Sequence, residues 1–171
     1  MENEAWLNGT LTGFAPHLMP AAHALTQAAK DLNKVALDLN NQQLLARPNS
    51  APSIAFHLRH IAGSIDRLLT YARAEQLTDR QFAELKAETA LDSDESAREL
   101  TEKAVRKIAE VLDALKNTPP EILFEARFVG RKKLPTNVFG LLFHIAEHTA
   151  RHVGQITTTA QIVANGAGTS G

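Results

Sequence analysis

Phe143-His144-Ile145-Ala146-Glu147-His148-Thr149-Ala150-Arg151-His152-Val153-Gly154-Gln155-Ile156 is the stretch on which the fold turns. With Leu142 before it and Ala160 after it, its residues Ile145, Thr149, Val153 and Ile156 recur at three and four, the period of an α-helix with one apolar side. His144, His148 and His152 stand at successive i,i+4 positions, so a helix stacks them on one face, along the edge of that apolar side. Gln155 continues the row. Glu147 and Arg151 share the outer flank at i,i+4, the spacing of a surface ion pair.

One other segment has this character: Phe56-His57-Leu58-Arg59-His60-Ile61. On a helical wheel of about 100° per residue, Ile54, Leu58, Ile61, Ile65, Leu68 and Ala72 form the core side. Ser53, His57, His60, Ser64, Arg67 and Tyr71 form a polar stripe beside it. Arg59, Asp66, Thr70 and Arg73 fall on the far side, where solvent is expected. Each of two helices thus carries imidazoles at the border of its core face. Neutral imidazoles gain nothing from crowding and protonated ones repel, so the clustering calls for a compensating charge. Three imidazoles from two facing helices suit a metal ion with a coordination position left open, the arrangement of a catalytic site. His17 and His23 have no such company, and a lone histidine at a core border is more often a hydrogen-bonded packing residue.

The rest of the chain reads as further helices separated by turn signals. A short helix at 5–8 precedes a turn at Gly13 and Pro16. Leu18, Ala22, Leu25, Ala29, Leu32 and Ala36 predict a first long helix over 16–39, with Pro20 near enough to its start to be tolerated. A polar loop through Arg47-Pro48-Asn49-Ser50 leads to a second helix over 53–75. Thr78-Asp79 opens a short helix that ends before Asp92. Leu100, Val105, Ile108, Leu112 and Leu115 predict a third long helix over 93–116, stopped by Pro119-Pro120. Alternation in Ala126-Arg127-Phe128-Val129, followed by Gly130, suits either a short hairpin or a packed loop. The last helix is expected over 136–164, and 165–171 as a disordered tail. The fold class is therefore all-α, an antiparallel four-helix bundle with short extra helices, in a single domain over 1–164.

Composition is compatible with this. The chain has 171 residues, 44% of them hydrophobic, enough for one domain with a sizeable core. Its 18 basic and 19 acidic side chains nearly cancel, and no basic stripe tracks phosphates, so no nucleic-acid partner is expected. There are no cysteines, which excludes thiolate ligands, disulfides and a cysteine nucleophile. With neither a signal-peptide pattern nor a bilayer-length apolar run, a cytoplasmic location and no membrane contact are expected.

Ser53-Ile54-Ala55-Phe56-His57-Leu58-Arg59-His60-Ile61-Ala62-Gly63-Ser64, taken with Glu147-His148-Thr149-Ala150-Arg151-His152-Val153-Gly154-Gln155, resembles the DinB superfamily of four-helix proteins. This group is named for a damage-inducible bacterial protein and includes bacillithiol transferases and mycothiol-dependent enzymes. The likeness extends from about Trp6 to Ala164. It implies a divalent ion, zinc or nickel, held by one histidine of the second helix and a His-x-x-x-His pair of the last. Matched by motif, these are His60, His148 and His152. Chemistry alone leaves His144 and His148 open as the pair; the resemblance favours His148 and His152. A homodimer is also implied.

His57 and His144 exceed that triad, and each suits a general base, an alternative ligand or a group behind the ligands. Ser64, Arg67, Tyr71 and Gln155 are candidates for binding substrate. No carboxylate is obviously placed as a base. Three functions follow. The first is an enzyme in which the ion activates a low-molecular-weight thiol cosubstrate, or water, against a small electrophile, as transferase or hydrolase. The second is a non-catalytic metal-binding stress-response protein. The third is a metallopeptidase, since His144-Ile145-Ala146-Glu147-His148 matches His-x-x-Glu-His, although that motif needs a further ligand and a substrate cleft.

Overall fold

The computed structural model describes residues 3–166. Six α-helices and one hairpin follow in order: α1 (Met19–Val35), α2 (Asn41–Leu45), α3 (Ile54–Ala72), α4 (Asp79–Ala87), α5 (Ala97–Asn117), β1 (Ala126–Val129), β2 (Leu134–Asn137) and α6 (Val138–Gly166). A 3-10 turn at Ala5–Asn8 stands where the short first helix was expected. Among the described residues, no helix is long and apolar enough to cross a membrane.

The four long helices close a ring of contacts: α6 packs on α1 and α3, and α5 packs on the same two. One apolar cluster fills it. Leu25 and Leu32 of α1, Leu58, Ile61 and Ile65 of α3, Ile108 and Leu115 of α5, and Ile145 and Ile156 of α6 are all buried in it. These are the positions that helical periodicity assigns to the core, so burial of apolar area, roughly 25 cal/mol per Å², selects the helix faces read from the sequence.

Helix ends follow local chemistry. Ser53 caps α3, its Oγ accepting from Phe56 N at 3.2 Å. α5 begins at Ala97, later than expected, because Ser96 and Glu99 form a capping box, with Ser96 N donating to Glu99 Oε2 at 2.8 Å. α1 ends at Val35, four residues early, and the stretch read as polar loop contains α2, opened by an Asn40–Gln43 capping box. α6 begins at Val138 because 134–137 are used in β2, whose residues pair antiparallel with β1 from Ala126↔Asn137 to Val129↔Leu134. The ambiguous stretch is thus a hairpin. Arg127 donates through Nε to Ala72 O at 2.7 Å, fastening it to the end of α3. α6 runs to Gly166, and 167–171 of the expected tail lie outside the described residues.

One flank of α3 differs from expectation. Thr70 is buried and Asp66 half-buried, rather than solvent-facing. The reason is α4. Gln81, buried on α4, donates through Nε2 to Asp66 Oδ2 at 2.7 Å and to Thr70 Oγ1 at 2.8 Å. A hydrophobic wheel cannot register a partner helix that docks through an amide, because the contact leaves no apolar signature.

Candidate metal centre

The seam between α3 and α6 carries the histidines. His60 of α3 and His148 and His152 of α6 each place one ring nitrogen within 4.8 Å of the others. His60 Nε2 and His148 Nε2 are 2.9 Å apart. The His148 and His152 rings lie 4.5 Å apart between centroids, and His60 and His152 4.7 Å. All three are half-buried.

Protons settle which nitrogens face the centre. His60 Nδ1 lies 2.8 Å from Glu88 Oε2, and a carboxylate only accepts, so Nδ1 carries a proton and in the neutral ring Nε2 presents its lone pair. His152 Nδ1 lies 2.8 Å from His57 Nδ1. A single proton serves that contact, and if His152 carries it, its Nε2 is free as well. His148 Nδ1 is buried with no hydrogen-bond partner, and its Nε2 lies 2.9 Å from the lone pair of His60 Nε2, so in the metal-free chain the single proton of that contact belongs to His148 Nε2. Phe56 stacks on His60 with centroids 5.5 Å apart and an interplanar angle of 10°.

Electrostatics act in the same direction. Burial pushes His152 down to about 3, helped by its neighbours His60, His148 and His57. Burial, then His60, pushes His57 down to about 4, and burial, then His60 and His144, does the same to His148. All three are therefore neutral at pH 7, the state in which imidazole ligates a cation. Three convergent ring nitrogens, with the tautomer of His60 set by Glu88 and that of His152 able to be set by His57, match a divalent transition ion.

The remaining candidates lie at varying distances from this centre. His57 is buried against His152. His144 is exposed; its ring lies 5.2 Å from that of His148 and its Nδ1 3.5 Å from Glu147 Oε2. Glu147 receives Arg151, whose Nη2 donates at 2.6 Å, so this carboxylate serves the surface pair expected of it. Ser64 is buried and donates to Ile61 O at 3.1 Å. Arg67 is buried and donates to Glu88 Oε1 at 2.6 Å, which links it to His60 through the carboxylate. Tyr71 is half-buried and Gln155 exposed. Among the described residues no hydrogen bond or ring contact joins either of them to the triad.

Glu88 is the residue that sequence reasoning missed. It caps the C-terminal end of α4 and is only 4% exposed. In the sequence it is one of many acidic residues in a polar stretch. A signal did exist in Gly63, which stands inside an amphipathic helix one turn beyond His60, where glycine costs about 1 kcal/mol against alanine and points to a close approach. A Cβ on Gly63 would collide with Glu88 Oε1 and lie 2.7 Å from Arg67 Nη1.

Fold and site together define a helical protein in which two helices bring three imidazoles to one point. The chain matches the family model of the DinB superfamily over residues 24–156, and it belongs to that superfamily. No curated protein matches it.

Proposed function

We propose that this protein is a divalent-metal-dependent enzyme, a transferase that joins a low-molecular-weight thiol to a small electrophile, or a hydrolase on the same site. The observation that carries this reading is the convergence of His60, His148 and His152, all three half-buried. Zinc or nickel bound there would polarise a thiol or water at a free coordination position and make it nucleophilic at neutral pH.

The residues of the chain do the rest. His60 presents a nitrogen fixed by Glu88, His152 one that His57 behind it can fix, and Phe56 walls one side. Exposed His144, one turn from His148, is placed to take or return a proton at the mouth. With no cysteine in the chain, the thiol is a cosubstrate. Arg67 is committed to Glu88, so of the residues expected to contact substrate, Tyr71 and Gln155 keep that assignment most freely. The scaffold in this reading is an antiparallel four-helix bundle of α1, α3, α5 and α6, working in the cytoplasm as a homodimer.

Elemental analysis of protein loaded with zinc or nickel, followed by turnover of electrophiles in the presence and absence of small thiols, tests the reading. One ion per chain is expected, with turnover that needs both ion and thiol. His57→Ala should retain the ion and lose part of the turnover. An ion taken up without any thiol- or water-dependent turnover would leave a passive metal-binding protein. No uptake at all would end the metal reading.

A further inference from the structure

Three features point to Glu88. It reaches the centre from outside the two ligand helices: α4 lies across α3, and the carboxylate at its end is buried between His60 and Arg67, with one oxygen 2.8 Å from His60 Nδ1 and the other 2.6 Å from Arg67 Nη1. Its place exists only because position 63 has no side chain. And α4 has one buried residue besides this cap, Gln81, whose contacts with α3 are amide hydrogen bonds rather than packed apolar surface.

We propose that Glu88 is a positioning residue that sets the tautomer of His60, and that Arg67 and Gly63 are present to hold its carboxylate in that role. The proposal rests on the metal reading above. A histidine ligand needs its proton on the nitrogen away from the ion, and a carboxylate behind it both enforces that tautomer and makes the ring a stronger donor. Arg67 does more than neutralise Glu88. Its guanidinium occupies Oε1 and so leaves Oε2 turned to His60. A polar residue facing His60 without this restraint would be free to rotate.

This arrangement makes an unusual demand on the conservative substitution. In a Glu88→Gln variant the amide oxygen is drawn to Arg67, because a guanidinium only donates. The amide NH₂ then faces His60 Nδ1 and donates to it, which moves the imidazole proton to Nε2, the atom that must be bare. Glu88→Gln should therefore lose zinc affinity ten- to hundred-fold, the usual cost of an outer partner, although it keeps shape and the Arg67 hydrogen bond. Adding Arg67→Met removes the restraint. The amide can turn its oxygen to His60, and part of the lost affinity should return.

Two measurements decide it. Zinc affinity is read by chelator competition for the native chain, Glu88→Gln, and Glu88→Gln with Arg67→Met. The protonated nitrogen of His60 is read from ¹⁵N–¹H long-range NMR of the metal-free proteins, assigned with His60→Gln. Expected are Nδ1–H in the native chain, Nε2–H in Glu88→Gln, and a return of Nδ1–H with partial recovery of affinity in the double variant. Native-like affinity and an unchanged tautomer in Glu88→Gln would overturn the proposal. So would equal loss in both variants with no tautomer change, since that marks a purely structural effect. Failure of the native chain to bind zinc would instead defeat the metal reading, and the metal-free NMR would still answer the tautomer question.

Discussion

The two flanks of α6 face different neighbours and have different characters. Toward α3, His148 and His152 meet His60 and His57, with Glu88 behind. Toward α1, Ala150, Val153, Gly154 and Thr157 face Ala24, Ala28 and His23 around a cavity of about 630 Å³ that Trp6 borders. Each flank has a histidine on the opposing helix, yet among the described residues only one flank gathers three ring nitrogens that could hold an ion. His23 Nδ1 is buried with no partner, and Asp31, the carboxylate beside that cavity, accepts from Gln27 Nε2 at 2.8 Å. The difference lies in convergence. A hollow and an imidazole do not make a site unless other donors meet it and its proton has somewhere to go.

The largest effect that can break this contrast is expected at His148. His148→Ala should reduce bound zinc or nickel from one ion per chain to none, measured by elemental analysis after dialysis, with helical circular dichroism unchanged because the ring is only half-buried. Full retention of the ion would move the pair to His144 and a different partner.

Gly63→Ala tests the same flank without touching a ligand. The added methyl meets Glu88 Oε1 and Arg67 Nη1, so the carboxylate must shift off His60. Overpacking of this kind costs about 1–3 kcal/mol, of which the helix preference of alanine over glycine returns about 1 kcal/mol, so the urea midpoint should fall modestly and metal affinity with it. An unchanged midpoint and affinity would show that the close approach is not needed.

Acid should separate the flanks next. The folded values of His57, His148 and His152 lie below the ordinary 6.5, at about 4, 4 and 3, chiefly through burial. The unfolded chain therefore binds more protons than the folded one across that interval, and stability rises with pH there. For metal-free protein the contribution is whole above pH 6.5 and is lost as pH falls through 4 toward 3. Urea midpoints at several pH values should show this slope. Replacing all three histidines by Gln should flatten it; an equal slope in that variant would assign the acid sensitivity elsewhere.

His23 gives the smallest effect. His23→Leu removes a buried, unpaired nitrogen from an apolar wall, so stability should stay within about 1 kcal/mol of the native chain or rise slightly, with metal content unchanged. Loss of metal on this substitution would mean that the two flanks communicate.

Much of this is legible in the sequence because histidine spacing and apolar periodicity share one ruler, the 3.6-residue turn. The i,i+4 row of His144, His148 and His152 on α6 and the border position of His60 followed from it, whereas the choice of His148 and His152 as the pair came from the family resemblance. So did the core residues Leu25, Leu58, Ile108 and Ile145. Element ends that depend on side-chain caps moved by a few residues, and α2 escaped notice because five residues held by a capping box carry too little periodicity to see. Thr70 and Asp66 were misplaced because their cover is polar.

By itself, then, the sequence determined that the chain is helical, which faces are apolar, and that two helices each carry imidazoles at a core border. Only the tertiary structure decided that these borders meet, that His57 backs His152, and that Glu88 closes on His60 from a third helix. The physical reason is range: helical periodicity is a local property of the backbone, whereas Glu88 is 28 residues from His60. Their contact depends on α4 docking across α3 through Gln81 and on a glycine leaving room for the carboxylate.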